Sequence, residues 1–438
     1  MKFAPRLGWL LFVALVAACA TSTPDQSADA FAPWLRADVS DEQLVVVTVR
    51  NQPVSLLMRS GSAARDYSTD EEYGPSPRAR AEVRKLAQQY ELREINAWPI
   101  QVLAVHCVVF AAPKNSDLEA LMARLRQDER VESAQALQSF ATLGNGVNAS
   151  HARDSEPYAH LQANLAPMDV MQAHRVTRGD GVRIAVIDTG VDISHPDLKG
   201  RIVEQRDFAT AAPAAIAASG GQTLPPERHG TAVAGIIAAR DDNRLGIIGV
   251  APAARILALR ACWPMHASDA RAVCNTFTLA QALSAAIDLR ADVVNLSLSG
   301  PSDPLLSRLV AAGIERGIVY VGAANADAPP GFPASVPGMI RVASTGHEAA
   351  VVDSSQALRA PGDEILTLTP AGGYDFYSGS SVAAASVSGG AALLLARRPK
   401  LTSAAVGAAM SASMQPASSV NLCAALIRVD NTAVCERE

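Results

Sequence analysis

The chain has 438 residues, 49% apolar and 18% charged, with a formal net charge of −5. These values fit globular protein with a large core and exclude a disordered chain. Without a long basic run, nucleic acid is not an expected partner.

Residues 1–18 read as an export signal. Lys2 and Arg6 form a positive flank, Leu7 to Ala18 is a short apolar stretch, and small residues follow. The stretch is too short to span a bilayer comfortably. It ends Val16-Ala17-Ala18-Cys19, which resembles the lipobox of bacterial lipoproteins and makes Cys19 the expected lipidation site. Plain signal cleavage after Ala20 is the alternative. Acyl chains on Cys19 would anchor the protein to a membrane. Ala20, where Asp would stand otherwise, points by analogy to an outer membrane in a two-membrane cell. Residues 19–40 are small and polar and read as a tether.

Residues 41–142 carry their own pattern. "QLVVVTVRN" is strand-like. "SPRARAEVRKLAQQY" opens with Ser76 as cap and Pro77 at the first helical position, and Ala79, Val83, Leu86 and Tyr90 recur at helical spacing. "LREINAWPI" and "VLAVHCVVF" are two further strands. A second helix is expected behind a Ser116/Glu119 capping box, with a stripe of Leu118, Leu121, Met122 and Leu125. "RVESAQAL" closes the set. Strand, helix, strand, strand, helix, strand is the order of a small ferredoxin-like α+β domain.

Residues 143–163 are polar and unpatterned and read as a linker. Across 164–420, continuous apolar strands such as "VRIAVIDTG", "DVVNLSLSG" and "IVYVGAAN" alternate with Ala-rich helical runs. That alternation predicts an α/β domain whose mostly parallel sheet is covered by helices on both faces. Sites in such sheets gather at the carboxyl ends of the strands.

Five cysteines follow Cys19. Cys262 and Cys274 form one pair and Cys423 and Cys435 another, with equal spacing, and export permits disulfides. The second pair would close a C-terminal tail over 421–438. Neither pair has the spacing or the accompanying His that zinc requires. Cys107 sits in an apolar strand and reads as a buried small hydrophobe.

Three polar stretches stand at strand ends or helix starts: Asp188 in "IAVIDTGVDISHPDL", His229 in "HGTAVAG", and Ser381 in "GSSVAAASVSGG". A hydroxyl is a weak nucleophile until a base takes its proton, and an imidazole base needs a carboxylate to set its tautomer. Together the three residues supply acyl-transfer chemistry in the order Asp, His, Ser.

With "GIIGVAP" and "GAAN", these stretches occur in the order and spacing of the subtilisin-like serine proteases, which the chain resembles from roughly Pro167 to Met410. The resemblance implies an exported serine endopeptidase acting on polypeptides. Asp188 orients the base, His229 is the general base and acid, and Ser381 is the nucleophile. Asn325, in "GAAN", implies an oxyanion-hole amide acting beside the Ser381 backbone N–H. Ser297, Leu298 and Ser299, in "NLSLSG", match the strand edge that pairs with substrate in that family. No cofactor is needed for the chemistry. Asp197 and Asn243 fall where some relatives bind a structural calcium. Three small residues depart from the family pattern: Ala232 for a usual His, Ala324 for Gly and Ala385 for Pro.

Relatives are often made with a small pro-domain that assists folding and inhibits the enzyme. Residues 41–142 match that role in size and element order, so the second expected partner is this chain's own N-terminal module. Its tail, "ALQSFATLGNG", would lie in the active site and be cut between Ala136 and Ser150. A cut there would free the catalytic domain from its lipid anchor. Two other readings keep the scaffold: a membrane-tethered binding protein with little or no turnover, and an esterase.

Overall fold

The computed structural model describes residues 44–52, 74–143, 145–147, 158–210, 228–264, 272–324, 331–345, 357–414 and 419–435. The export signal, Cys19 and the tether lie outside the described residues, as does Asn325.

The first elements are β1 Leu44–Arg50, α1 Pro77–Gln89, β2 Arg93–Ile100, β3 Val105–Ala111, α2 Leu118–Arg126 and β4 Val131–Ala136. Their strands form an antiparallel sheet in the order β2-β3-β1-β4, the ferredoxin-like arrangement expected from the element order. α1 begins as read: Ser76 Oγ accepts from the Ala79 N–H at 3.2 Å, with Pro77 inside the first turn. α2 differs. Its cap is Asp117 rather than Ser116, with the carboxylate accepting from the Ala120 N–H at 3.1 Å. A full negative charge is favoured at the positive end of the helix dipole, and the neutral hydroxyl lacks that gain. β3 starts at Val105 rather than Val102, because Gln101–Leu103 form a 3-10 turn closed by Ala104 at φ 52.

Alternation along the strands makes both faces of this sheet apolar. Val45, Val47, Val108 and Phe110 pack under α1 and α2. Leu44, Val46, Cys107 and Val109 turn the other way, into the core of the larger unit.

Next come β5 Ser139–Thr142, β6 Asn145–Val147, α3 Val170–His174, β7 Arg183–Asp188, β8 Ile202–Asp207, α4 Arg228–Ala238 and β9 Arg255–Arg260. After them lie β10 Cys262–Pro264, β11 Ala272–Asn275, α5 Thr276–Asp288, β12 Val293–Leu296, β13 Leu298–Ser299, α6 Pro304–Glu315 and β14 Val319–Ala323. The chain closes with β15 Ile340–Ser344, β16 Leu358–Ala360, β17 Ile365–Thr369, β18 Gly373–Ser378, α7 Ser380–Arg397, α8 Ser403–Ser411 and α9 Leu422–Val429.

Seven of these strands form a parallel sheet, β16-β15-β14-β12-β7-β9-β8. In β7, Ile184 and Val186 share a core with α4 and α7, whereas Ala185 and Ile187 share one with α5 and α6. Helices therefore cover both faces, as the continuous apolar strands predicted. The apolar underside of the four-stranded sheet rests on α5 and α6, where Trp98 meets Phe277 edge to face at 4.8 Å. Gln135 Oε1 accepts from the Leu305 N–H at 3.2 Å, satisfying a free donor at the start of α6.

α7 is apolar and long enough to cross a bilayer, yet it is buried within the fold as a core helix. Its small residues are packing requirements. A Cβ on Gly389 would fall 2.7 Å from Val250, and one on Gly390 would fall 2.4 Å from Leu422. At the C-terminal end, α9 is tied by the expected Cys423–Cys435 disulfide.

Candidate active site

β7, α4 and α7 bring three of the predicted residues together. Asp188 ends β7, His229 lies in the first turn of α4, and Ser381 is the second residue of α7. His229 Nδ1 lies 2.8 and 2.9 Å from the two oxygens of Asp188. His229 Nε2 lies 3.2 Å from Ser381 Oγ. An ionised carboxylate only accepts, so Nδ1 carries the imidazole proton and Nε2 is left to accept from the serine hydroxyl. All three side chains are buried, with Asp188 and His229 at 1% and 3% exposure.

The carboxylate is further held by the Thr189 N–H, which donates to Asp188 Oδ1 at 2.6 Å. Thr189 Oγ1 accepts from the Gly230 N–H at 3.0 Å, joining the end of β7 to the first turn of α4. Arg260, opposite Asp188 in the β7–β9 register, donates from Nε to the Thr189 carbonyl at 2.9 Å and from its guanidinium to Asp207 at 2.8 Å. The sequence reading gave Thr189 no role although it stands in the Asp188 motif, and it passed over Arg260, because both act by holding other groups rather than by reactive chemistry.

The site already holds a length of chain. β5 lies between β11 and β13, antiparallel to both, with Phe140 opposite Cys274 and Thr142 opposite Leu298. The Leu143 N–H donates to the Ser297 carbonyl, and the Leu143 carbonyl accepts from the Ser381 N–H, each at 3.1 Å. Beyond the next residue, β6 adds to β18, with Asn145 opposite Ser378 and Val147 opposite Phe376. The tail "ALQSFATLGNG", expected at the active site, contains β5 and the Leu143 that meets Ser381, while the segment 143–163, expected to be a linker, opens with the paired strand Asn145–Val147. The hydrogen bonds of that strand are main-chain ones, which residue types do not foretell.

Of the three residues predicted to face substrate, Leu298 and Ser299 pair with β5 and Ser297 contacts Leu143 through its backbone. The opposite wall, β11, was not foreseen. It is joined to β10 by the expected Cys262–Cys274 disulfide, with those two residues facing each other across the strands. That cysteine pair was the one available signal. Phe140 is buried against Phe332, ring centroids 5.6 Å apart and nearly perpendicular. Gly300 makes room for it, since a Cβ there would lie 2.3 Å from the Phe140 ring.

Among the described residues, no cluster of three or more His, Cys, Asp or Glu is arranged to hold a metal ion. Asp197 and Asn243 do come together: Asn243 Nδ2 donates to Asp197 Oδ1 at 2.7 Å. Asp197 is fully buried, and its carboxylate accepts from neutral donors: Asn243, the Ile247 N–H and the Tyr374 hydroxyl. Burial pushes its carboxyl above the usual range, against hydrogen bonds from Asn243, the Ile247 N–H and the Tyr374 hydroxyl. A buried, unneutralised carboxylate suits a cation. The Asn243 amide would need a half turn to offer its oxygen, releasing the Leu245 N–H it now accepts from.

The three departures from the family pattern, Ala232, Ala324 and Ala385, are all buried. The free thiol of Cys107 is buried as expected, and burial raises its pKa well above the usual thiol value.

The subtilase family profile matches residues 179–425. Subtilisin NAT of Bacillus subtilis subsp. natto is 33% identical over 279 residues, covering 58% of this chain and 67% of the relative. The thermophilic serine proteinase of Bacillus sp. (strain AK1) is 33% identical over 298 residues, 65% of this chain and 68% of the relative. Among solved structures, fervidolysin of Fervidobacterium pennivorans, a keratinolytic enzyme related to subtilisin, superposes with a TM-score of 0.67 at 22% identity. That likeness covers 90% of this chain and spans 62% of the fervidolysin chain.

Proposed function

The chain belongs to the subtilase family, and from that premise we propose that it is a serine endopeptidase made as a self-processing precursor. The observation that carries the reading is the line Asp188–His229–Ser381 with the Leu143 carbonyl held on the Ser381 N–H.

The chemistry follows from the protonation states. Ser381 Oγ attacks the Leu143 carbonyl carbon while His229 Nε2 takes the hydroxyl proton, and Asp188 stabilises the resulting imidazolium. Negative charge gathers on the Leu143 oxygen, where the Ser381 N–H is already aimed; Asn325 would supply the second donor. His229 then returns the proton to the leaving nitrogen of Gly144, the C–N bond breaks, and an acyl-enzyme remains. Water repeats the sequence, giving up a proton to His229 and releasing the carboxylate of Leu143.

Residues 139–143 fill the site as a substrate would, so the bond after Leu143 is the proposed processing site. The four-stranded domain before it is then a pro-domain that occupies the site until cut. Other polypeptides would bind the same edges, extended between β11 and β13. Export and lipid anchoring at Cys19 complete the proposal, resting on the N-terminal motif alone. A structural calcium at Asp197 and Asn243 would neutralise a buried charge and take no part in the chemistry.

The test is to express the full chain beside Ser381→Ala and to determine the N-terminus and intact mass of each. A cut before Gly144 in the first chain alone supports the reading. Both chains remaining whole counts against it, and equal cutting in both assigns the cut to another protease.

A further inference from the structure

We propose that Ser297, Asn295 and Ser388 are positioning residues that hold Ser381 in register with the bond it attacks; this rests on the peptidase reading above. The Ser388 hydroxyl donates to Asn295 Oδ1 at 2.8 Å. Asn295 Nδ2 donates to Ser297 Oγ at 2.9 Å. The Ser297 hydroxyl donates to the carbonyl oxygen of Ser381 at 3.0 Å. All four residues are fully buried.

The direction of every bond is determined. A carbonyl only accepts, so the single Ser297 proton must point at Ser381. Ser297 Oγ then accepts, which requires the amide nitrogen of Asn295, and this leaves Asn295 Oδ1 facing the Ser388 hydroxyl. The three bonds run with one polarity from Ser388 to Ser381, so each strengthens the next. No solvent reaches them, and removing one link strands a buried polar atom.

Two features tie this relay to catalysis rather than to packing alone. First, Ser297 touches both the nucleophile and the bound chain. Its carbonyl accepts from the Leu143 N–H, and the Ser381 N–H donates to the Leu143 carbonyl. Leu143, Ser297 and Ser381 thereby close a ring of three hydrogen bonds around the carbonyl under attack. Second, the N-cap of α7 is Gly379, with φ 134, which has no side chain to cap the helix. Ser388 lies two turns further along the same helix. The relay thus runs from the body of α7 through β12 and the residue after it, and back to the turn that carries the nucleophile. Small displacements of a nucleophile are costly in rate because reaction demands a near-attack geometry.

Steady-state kinetics on the processed chain, with Ser-Phe-Ala-Thr-Leu p-nitroanilide as substrate, test the assignment. Ser297→Ala keeps the backbone bond to substrate, so kcat should fall about tenfold with KM changed less than twofold. Ser388→Ala should lower kcat about threefold, and the double variant should match Ser297→Ala alone, because both interrupt one chain. Ser388→Thr, which keeps a hydroxyl, should restore kcat. A loss appearing only in KM, additive losses, or unchanged kcat in Ser388→Ala would overturn the proposal while leaving the peptidase reading intact. Failure of the unaltered chain to cut the substrate would overturn both.

Discussion

The backbone N–H of Ser381 donates to the carbonyl oxygen of Leu143 at 3.1 Å, although the two residues belong to different units of the fold. The donor is free because the first N–H groups of α7 have no partner inside the helix. The acceptor arrives because the last strand of the N-terminal segment is clamped between β11 and β13. This one bond locates the reacting carbonyl.

Phe140 should set side-chain preference three residues before Leu143. It fills the space left by Gly300 against Phe332. In Gly300→Ala, KM for a peptide with Phe at that position should rise about tenfold, the scale of one lost apolar contact set, while a peptide with Ala there changes little. Paired KM measurements decide it; equal losses on both peptides would remove the pocket from the account.

The Cys262–Cys274 disulfide should support binding more than chemistry. It ties β10 to β11, the strand that pairs with Phe140 and Ala141. Replacing both cysteines with Ser should lower stability by about 2–3 kcal/mol from loop entropy. KM should rise with kcat nearly constant. Unaltered KM at a lowered Tm would mean that β11 keeps its place without the bridge.

Stability should fall as the medium is acidified from pH 7.5 to 5. Burial holds the pKa of His106 and of His174 below the ordinary value of 6.5. The unfolded chain therefore binds protons first, and stability that is complete above about 6.5 is lost as pH falls toward the folded values. A Tm series against pH should show this slope, and His106→Gln with His174→Gln should flatten it. An unchanged slope in the double variant would assign the effect to other groups.

Calcium should raise Tm, and chelation should lower it, with kcat unchanged at temperatures where the chain stays folded. The expectation rests on the fully buried, unneutralised Asp197 beside Asn243. In Asp197→Asn the calcium response should vanish. A Tm indifferent to calcium in the unaltered chain would show that the hydrogen bonds from Asn243, Ile247 and Tyr374 suffice.

Much of this protein was legible in its residue order. Apolar runs alternating with helical periods predicted the parallel sheet, and both disulfide pairs were read from the spacing of the cysteines and the expectation of export. The Ser76 cap was correct, whereas Ser116 gave way to the adjacent Asp117, whose carboxylate gains from the helix dipole where a neutral hydroxyl does not. Asp188, His229 and Ser381 could be named because each stands in a motif whose residue types serve its chemistry.

By itself the sequence determined the main apolar strands and helices, the family and the three side chains drawn together, since hydrophobic period and reactive group are properties of residues. Tertiary structure alone decided that Leu143 meets Ser381, that β11 forms the second wall, and that Ser388 reaches Ser381 through Asn295 and Ser297. Those links run largely through main-chain groups or through common Ser and Asn side chains at long separations. Every residue has a backbone N–H and carbonyl, so their partners are chosen by how the strands and helices pack, and not by any local pattern.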